Sequence, residues 1–465
     1  MSKFNRSMGF WGAFSTATGL VVAGTTMVSL GNSMGLVGPV FVVAAFIAMI
    51  VSMLVSFSYA ELSSFIPGAG MVGDYTLVAM GRFMAIVVVL SGYMVLVSSA
   101  GALESITAGL ATEILFPNFN GTIAAIGLLI LFLIINLIGI HVFSAVQIIV
   151  TCSLMVMTTV MGLFGLFEIG TINETVDTVF NPNGWSFVFQ SIALGIWLFI
   201  GIEYVAPMAE EIKNPSKNIP KAMIFGLLTI FVADALFGLA ITRYVPLDTL
   251  SQVESPQVEG ATAMFGEIGL ILMVLITIIA SASSINSHLA AVPRMLYGLG
   301  REGLLPKIFT YLHPKFRTPW AGILFVFALL CIPFLLSINI ELITTLISVA
   351  SVTWLMSYII TQLDVIILRK RYPKAKRPFK TPFYPAPQII GIIACAYMIM
   401  TITPETTKKL QIYSIAGTII AVIVLYAWVW LKVKKLSMFT PVPLEQITSD
   451  FNDEMGTETL ERRVL

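Results

Sequence analysis

The chain has 465 residues, 57% of them hydrophobic and only 11% charged, with a formal net charge of +1 and a mean hydropathy of +0.92. Soluble domains carry roughly 25% charged residues, and no soluble core absorbs that deficit, because its surface still needs charge. The composition therefore excludes an ordinary soluble enzyme or sensor and points to an integral membrane protein. At about 20 residues per span, a dozen helices leave only short loops.

Hydropathy places spans near residues 10–35, 39–65, 83–111, 122–140, 143–167, 186–208, 220–243, 263–290, 319–337, 341–367, 386–403 and 411–432. Of the 26 Lys and Arg, only Arg243, Lys408 and Lys409 fall in odd-numbered loops. The positive-inside rule then puts both termini in the cytoplasm, and a one-helix error in the count would scatter the asymmetry. The first apolar stretch is too long for a signal peptide and lacks a small-residue cleavage site, so it reads as a retained helix. Cys152, Cys331 and Cys395 lie inside apolar spans, which suggests neither a disulfide framework nor a metal motif.

Two spans are irregular. The first carries Gly19 and Gly24 at its middle among Thr and Ser; the sixth carries Gly201, Glu203 and Pro207 before it exits into charge. In hydrocarbon an interrupted backbone is tolerated only where it lines a cavity or is buried in protein. Such a pair of broken spans marks the binding site of secondary transporters. Lying five spans apart, they fit two inverted repeats, residues 1–185 (helices 1–5) and 186–385 (helices 6–10). Two appended helices over 386–435 and a flexible cytoplasmic tail over 436–465 complete the expected organisation. The basic, Pro-rich stretch 369–387 reads as a cytoplasmic loop, with no nucleic-acid partner implied.

Four separated motifs carry a family resemblance: YAELSSFIPGAG (59–70), FIGIEYVAPMAEEIKNPSKNIPKA (199–222), SSINSHLAAVPRMLYGLGREGLLPKIFTYLHPKFRTP (283–319) and LRKRYPKAKRPFKTPFYP (368–385). In order and spacing the chain resembles the amino acid–polyamine–organocation permeases, in their bacterial amino acid and amine transporter branch. The resemblance implies an all-α membrane protein of twelve transmembrane helices. It also implies a five-plus-five inverted repeat with broken helices 1 and 6, a LeuT-like arrangement, and transport by alternating access.

A broken helix 1 frees backbone amides at the positive end of its outer half, which suits a carboxylate. A broken helix 6 frees carbonyls that suit an ammonium. The substrate residues expected there are Val22, Ala23, Gly24 and Thr25 in helix 1, Phe199, Ile200, Gly201 and Glu203 in helix 6, and Trp354 in helix 10. In similar permeases the helix 1 break is a Gly-small-Gly run; here its first Gly is Val22, which narrows the carboxylate end. Phe199 resembles the aromatic that covers substrate in those permeases, and Trp354 either lines the outer gate or packs. Glu203 either holds the broken helix by hydrogen bonds or binds an amine, since an intramembrane carboxylate is expensive and functional by default.

Ser283 and Ser284 in helix 8 would face helix 1, where a hydroxyl pair could hold sodium in relatives of this fold. Many members place a Lys in helix 5; the matching position here is Leu154, with no Lys or Arg in that span. Glu104 in helix 3 and Asp234 in helix 7 are the remaining buried acids, either carrying protons or bonding helix to helix. His288 is a packing residue or a relay, and Glu61 pairs with a cytoplasmic cation. No cofactor is implied, and sodium or proton coupling stays open.

These residues point to a non-enzymatic permease or exchanger in the cytoplasmic membrane. Its partners would be the lipid bilayer and an amino acid substrate, the alternative being an ethanolamine- or polyamine-like amine. A channel or sensor on the same scaffold ranks lower, since no signalling domain fits the loops.

Overall fold

The computed structural model describes residues 4–335, 340–403 and 405–447, and these are helical, with a single isolated bridge between Met8 and Ile212. The first span is two helices, α1 (Phe10–Val21) and α2 (Gly24–Val37), bent 55° at a two-residue break. The second is α3 (Phe41–Phe65), followed by the short α4 (Val72–Ala79). The third runs Arg82–Leu115, with α5 (Arg82–Val89) and α6 (Ala102–Leu115) joined through two π-helical turns, Leu90–Met94 and Val97–Gly101. Then come α7 (Gly121–Ile138) and α8 (Ile140–Leu166).

The sixth span comprises α9 (Gly184–Gln190), α10 (Ile192–Trp197) and the 3-10 helix Ile202–Met208. It is followed by α11 (Pro215–Ile241), α12 (Leu247–Gln252) and α13 (Pro256–Arg301), the last kinked at Gly266. α14 (Trp320–Leu335), α15 (Ile340–Arg371), α16 (Ala386–Met400) and α17 (Thr406–Val433) complete the chain. Among the described residues nine helices are long and apolar enough to span, ten with the bent pair; two shorter apolar helices, Trp320–Phe334 and Ala386–Met400, lie where spans 9 and 11 were expected. Exposed Ile149, Val156, Phe164, Leu131, Val422 and Leu425 give the outer surface the apolar character that lipid requires.

The two breaks fall where the sequence breaks its pattern. Val22 (φ −85°, ψ 74°) and Ala23 (φ −96°, ψ 163°) leave the helical region, and α2 restarts at Gly24. In the sixth span Gly201 has φ +111°, a left-handed conformation that an L side chain resists. Pro207 cannot donate to a helical ladder, and the backbone around it tightens into 3-10 geometry.

The N-terminal end of the bundle is sealed by polar contacts. Ser7 and Met8 donate their N–H groups to Glu211 O (both 3.0 Å), and Lys213 donates to Met8 O (2.8 Å). Arg294 forms a fully buried ion pair with Glu211, and its guanidinium lies over the Phe4 ring. Arg301 pairs with Glu210 at 2.9 Å and lies 3.8 Å from Asp74. Glu61 is held by Arg369 (2.6 Å) and Arg377 (3.2 Å), the cation pairing expected of it.

The start of the expected flexible tail is docked instead. Phe83 N donates to Met438 O (2.9 Å), the Phe83 and Phe439 rings lie 5.2 Å apart, and Val442 N donates to Leu77 O (3.2 Å). Met438, Phe439 and Val442 supply apolar surface that the expectation of a flexible tail overlooked; residues 448–465 lie outside the described residues.

Candidate functional site

The two breaks meet across a small cavity of about 50 Å³. Leu20, Val21, Ala23, Thr25 and Thr26 come from the first span, Leu96, Ala100 and Glu104 from the third, and Trp197 and Ile200 from the sixth. Ser284 and His288 on α13 and Trp354 on α15 close it. A larger cavity of about 1030 Å³ opens toward the end remote from the N-terminus and shares Thr25 with the small one.

Glu104 commands the helix 1 break. Its carboxylate accepts from Gly24 N (3.0 Å), Thr25 N (3.4 Å), Ser281 Oγ (2.9 Å) and the Thr25 hydroxyl. The amides that the sequence assigned to a substrate carboxylate are thus bound by the chain's own carboxylate. Val22 is buried beside the break without lining the cavity, and Gly24 contributes its amide alone. A Cβ on Gly24 would lie 2.5 Å from Ser281 Oγ and 3.4 Å from Glu104.

Glu203 commands the helix 6 break differently. It accepts from Tyr358 OH (2.5 Å), Trp354 Nε1 (3.1 Å) and Tyr93 OH (3.4 Å), while Gly201 N donates to the Tyr358 oxygen (3.2 Å). Every bond ties the break to a neighbouring span, which is the holding role. Glu203 and Phe199 line a separate cavity, among Tyr59, Leu355, Tyr358 and Cys395. Phe199 therefore lines a cavity adjoining the Glu104 one at Ile200 rather than the Glu104 cavity itself, and Trp197, which the sequence reading passed over, supplies that span's aromatic there.

The two expected sodium-facing serines part company. Ser284 faces the cavity. Ser283 Oγ instead receives Gln147 Nε2 at 2.9 Å, and the same amide nitrogen donates to Ser287 Oγ (3.1 Å) and Ser15 O (3.3 Å). Thr151 Oγ1 adds a bond to Ser15 O (3.2 Å), and Asn286 Nδ2 fixes Gln147 Oε1 at 2.7 Å. A neutral amide therefore occupies the junction of α1, α8 and α13, while Leu154 is buried and apolar. A lone Gln in an apolar span was the available signal for Gln147; nothing in the sequence could have paired it with Ser283.

Asp234 on α11 is buried, lies outside the cavity and forms no hydrogen bond or ion pair among the described residues, so the expected helix-to-helix bond is not made. His288 packs edge-on against Tyr204 (5.4 Å) and leaves Nδ1 without a partner.

Two broken helices that enclose a buried, largely apolar cavity with a few polar groups in its wall, beneath a wider cavity open at one end, define a secondary transporter in a membrane. The comparisons agree. The chain belongs to the amino acid permease family, whose profile matches residues 8–426. It is 26% identical over 426 residues to the methylthioribose transporter of Bacillus subtilis, covering 87% of this chain and 88% of that protein. It is 24% identical over 448 residues to that organism's branched-chain amino acid permease, covering 90% and 92%. Its serine/threonine exchanger is 28% identical over 291 residues, covering 61% of this chain and 65% of the exchanger. In fold it is similar to the Eremococcus coleocola manganese transporter, with a TM-score of 0.64 at 13% identity over 93% of this chain and 99% of that one. The chain is a multi-pass transporter of small molecules, not an enzyme.

Proposed function

We propose that the protein carries amino acids or closely related small amines across the cytoplasmic membrane, with both termini in the cytoplasm, by alternating access. The cavity shared by Ala23, Thr25, Ile200, Ser284 and Trp354 is the observation that carries this reading, because it joins the two breaks to a single buried volume. The ion-paired N-terminal end and the wide cavity at the other support the reading of an outward-facing state closed to the cytoplasm. At about 50 Å³ the central cavity must widen when substrate enters. Relatives named for amino acids and for methylthioribose support a small polar cargo.

Transport needs no sodium at Ser283, since Gln147 donates to the oxygens a cation would take. Asp234 remains the buried acid able to carry a coupling proton. Uptake of radiolabelled amino acids and amines into proteoliposomes tests the reading: saturable, competable uptake is expected. Ionic current without saturable uptake would replace it with a channel.

A further inference from the structure

The Glu104 carboxylate accepts four hydrogen bonds, two from backbone amides and two from hydroxyls. That is the full lone-pair capacity of an ionised carboxylate. It is 3% exposed, and no Lys, Arg or His pairs with it among the described residues. Its hydrogen bonds are satisfied, but its charge is not neutralised, and a buried charge without a counter-charge is costly. The cavity wall it belongs to contains no Lys or Arg.

A substrate carboxylate brought to the same amides would meet Glu104 at contact distance. Two carboxylates in one buried site cannot both stay ionised. A cation meets the opposite situation. Among the described residues the Ser284 hydroxyl, which lines the cavity, makes no hydrogen bond, and His288, 2% exposed in the same wall, leaves Nδ1 unpartnered. An ammonium offers three N–H donors, enough for the Glu104 side, Ser284 and His288 together. The rings of Trp197 and Trp354 border the same space, and indole faces attract cations.

We propose that Glu104 is the recognition residue at the helix 1 break, and that it selects a substrate presenting an ammonium group, and no free carboxylate, to that end of the cavity. This deepens the transport reading by naming the substrate class: primary amines, or amino acids whose carboxyl is masked. The expected polarity of the pocket is reversed, with the positive pole of the ligand against helix 1. The Thr25 hydroxyl, which lines the cavity, keeps its own lone pairs while it donates to Glu104, so a bound ammonium can take them as well as the charge of Glu104.

The test uses the detergent-purified full chain and matched sets: serine with ethanolamine, leucine with 3-methylbutylamine and leucinamide, lysine with cadaverine, and 4-methylpentanoate as the deaminated acid. Ligand binding to the folded state raises apparent thermal stability. The amine or the amide in at least one set should stabilise the protein at concentrations at least about tenfold below its parent amino acid, a difference of about 1.4 kcal/mol in binding. The deaminated acid should do nothing. Glu104→Gln should lose the amine response by a similar factor, and Glu104→Asp should keep part of it, which covers the case in which Gln destabilises the fold.

Amino acids that stabilise and enter proteoliposomes while their amines do neither would overturn this proposal and leave the transport reading intact. Stabilisation by a neutral thiosugar with no amine response would also overturn it. Failure of every amine and every amino acid to enter proteoliposomes would overturn the transport reading, and this one with it.

Discussion

Each break in the bundle is served by one buried glutamate, and the two glutamates do opposite things. Glu203 sits inside its own broken span and spends its oxygens on Tyr358, Trp354 and Tyr93, so the sixth span is pinned to α15 and the third span. Glu104 comes from a different span, reaches across to the amides of α2, and faces the central cavity. A residue type at membrane depth therefore says little about its role. What separates the two is the chemistry around each: hydroxyl and indole donors on rigid rings for Glu203, backbone amides beside an open volume for Glu104.

Replacing Glu203 by Ala should have the largest effect. It leaves the Trp354 N–H and the Tyr358 and Tyr93 hydroxyls without their acceptor, and each buried orphan costs about 1–3 kcal/mol. A large drop in melting temperature with loss of uptake is expected; retained stability would make Glu203 a ligand group and erase the contrast. Next comes Gly24→Leu, whose side chain would meet Ser281 Oγ and Glu104. Uptake should vanish while size-exclusion behaviour and helicity stay near those of the parent protein, and unchanged transport would remove α2 from the site.

Gln147→Ala should be milder. Emptying the space beside Ser283 and Ser15 exposes oxygens suited to a small cation. Uptake by the parent protein should be the same in sodium and choline chloride, whereas the variant should respond to sodium. Sodium dependence in the parent would show that the Gln147 amide does not replace an ion.

The smallest effect concerns Asp74, at the sealed end. Burial pushes its carboxyl up to about 7, while Arg301 pulls the other way and Glu210 and Glu302 oppose Arg301. A carboxyl that holds its proton more tightly when folded contributes its stability fully below about pH 4, the unfolded value. That contribution is lost as pH rises through about 7. Asp74→Asn should therefore flatten the fall in melting temperature between about pH 4 and 7. An unchanged slope would place that titration on another group.

The fold was largely legible because bilayer depth and backbone satisfaction leave few choices. Gly201 and Pro207 announced the sixth-span break, and Gly24 the first. The site was legible only in part. Ala23, Thr25, Ile200, Ser284, Glu104 and Trp354 do meet around one volume, but Phe199 and Glu203 line an adjoining one. That difference depends on rotation about a non-helical segment, Leu198–Gly201, where helical periodicity carries no information. The π-helical turns at Leu90–Met94 and Val97–Gly101 precede Glu104 and change its facing by added residues per turn, an offset no apolar pattern reveals. Gln147 was visible as a polar residue, but its partners lie on α1 and α13, far away in sequence.

The pairing of Met8 with Ile212 has a consequence for motion. Met8 leads directly into α1, and Ile212 follows directly from the 3-10 end of the sixth span. Their backbone bonds yoke α1 to the 3-10 half of the sixth span, so neither can swing without carrying the other. A bulky fusion seated immediately before Phe4 would load this yoke and slow the turnover of a transporter whose pocket was untouched.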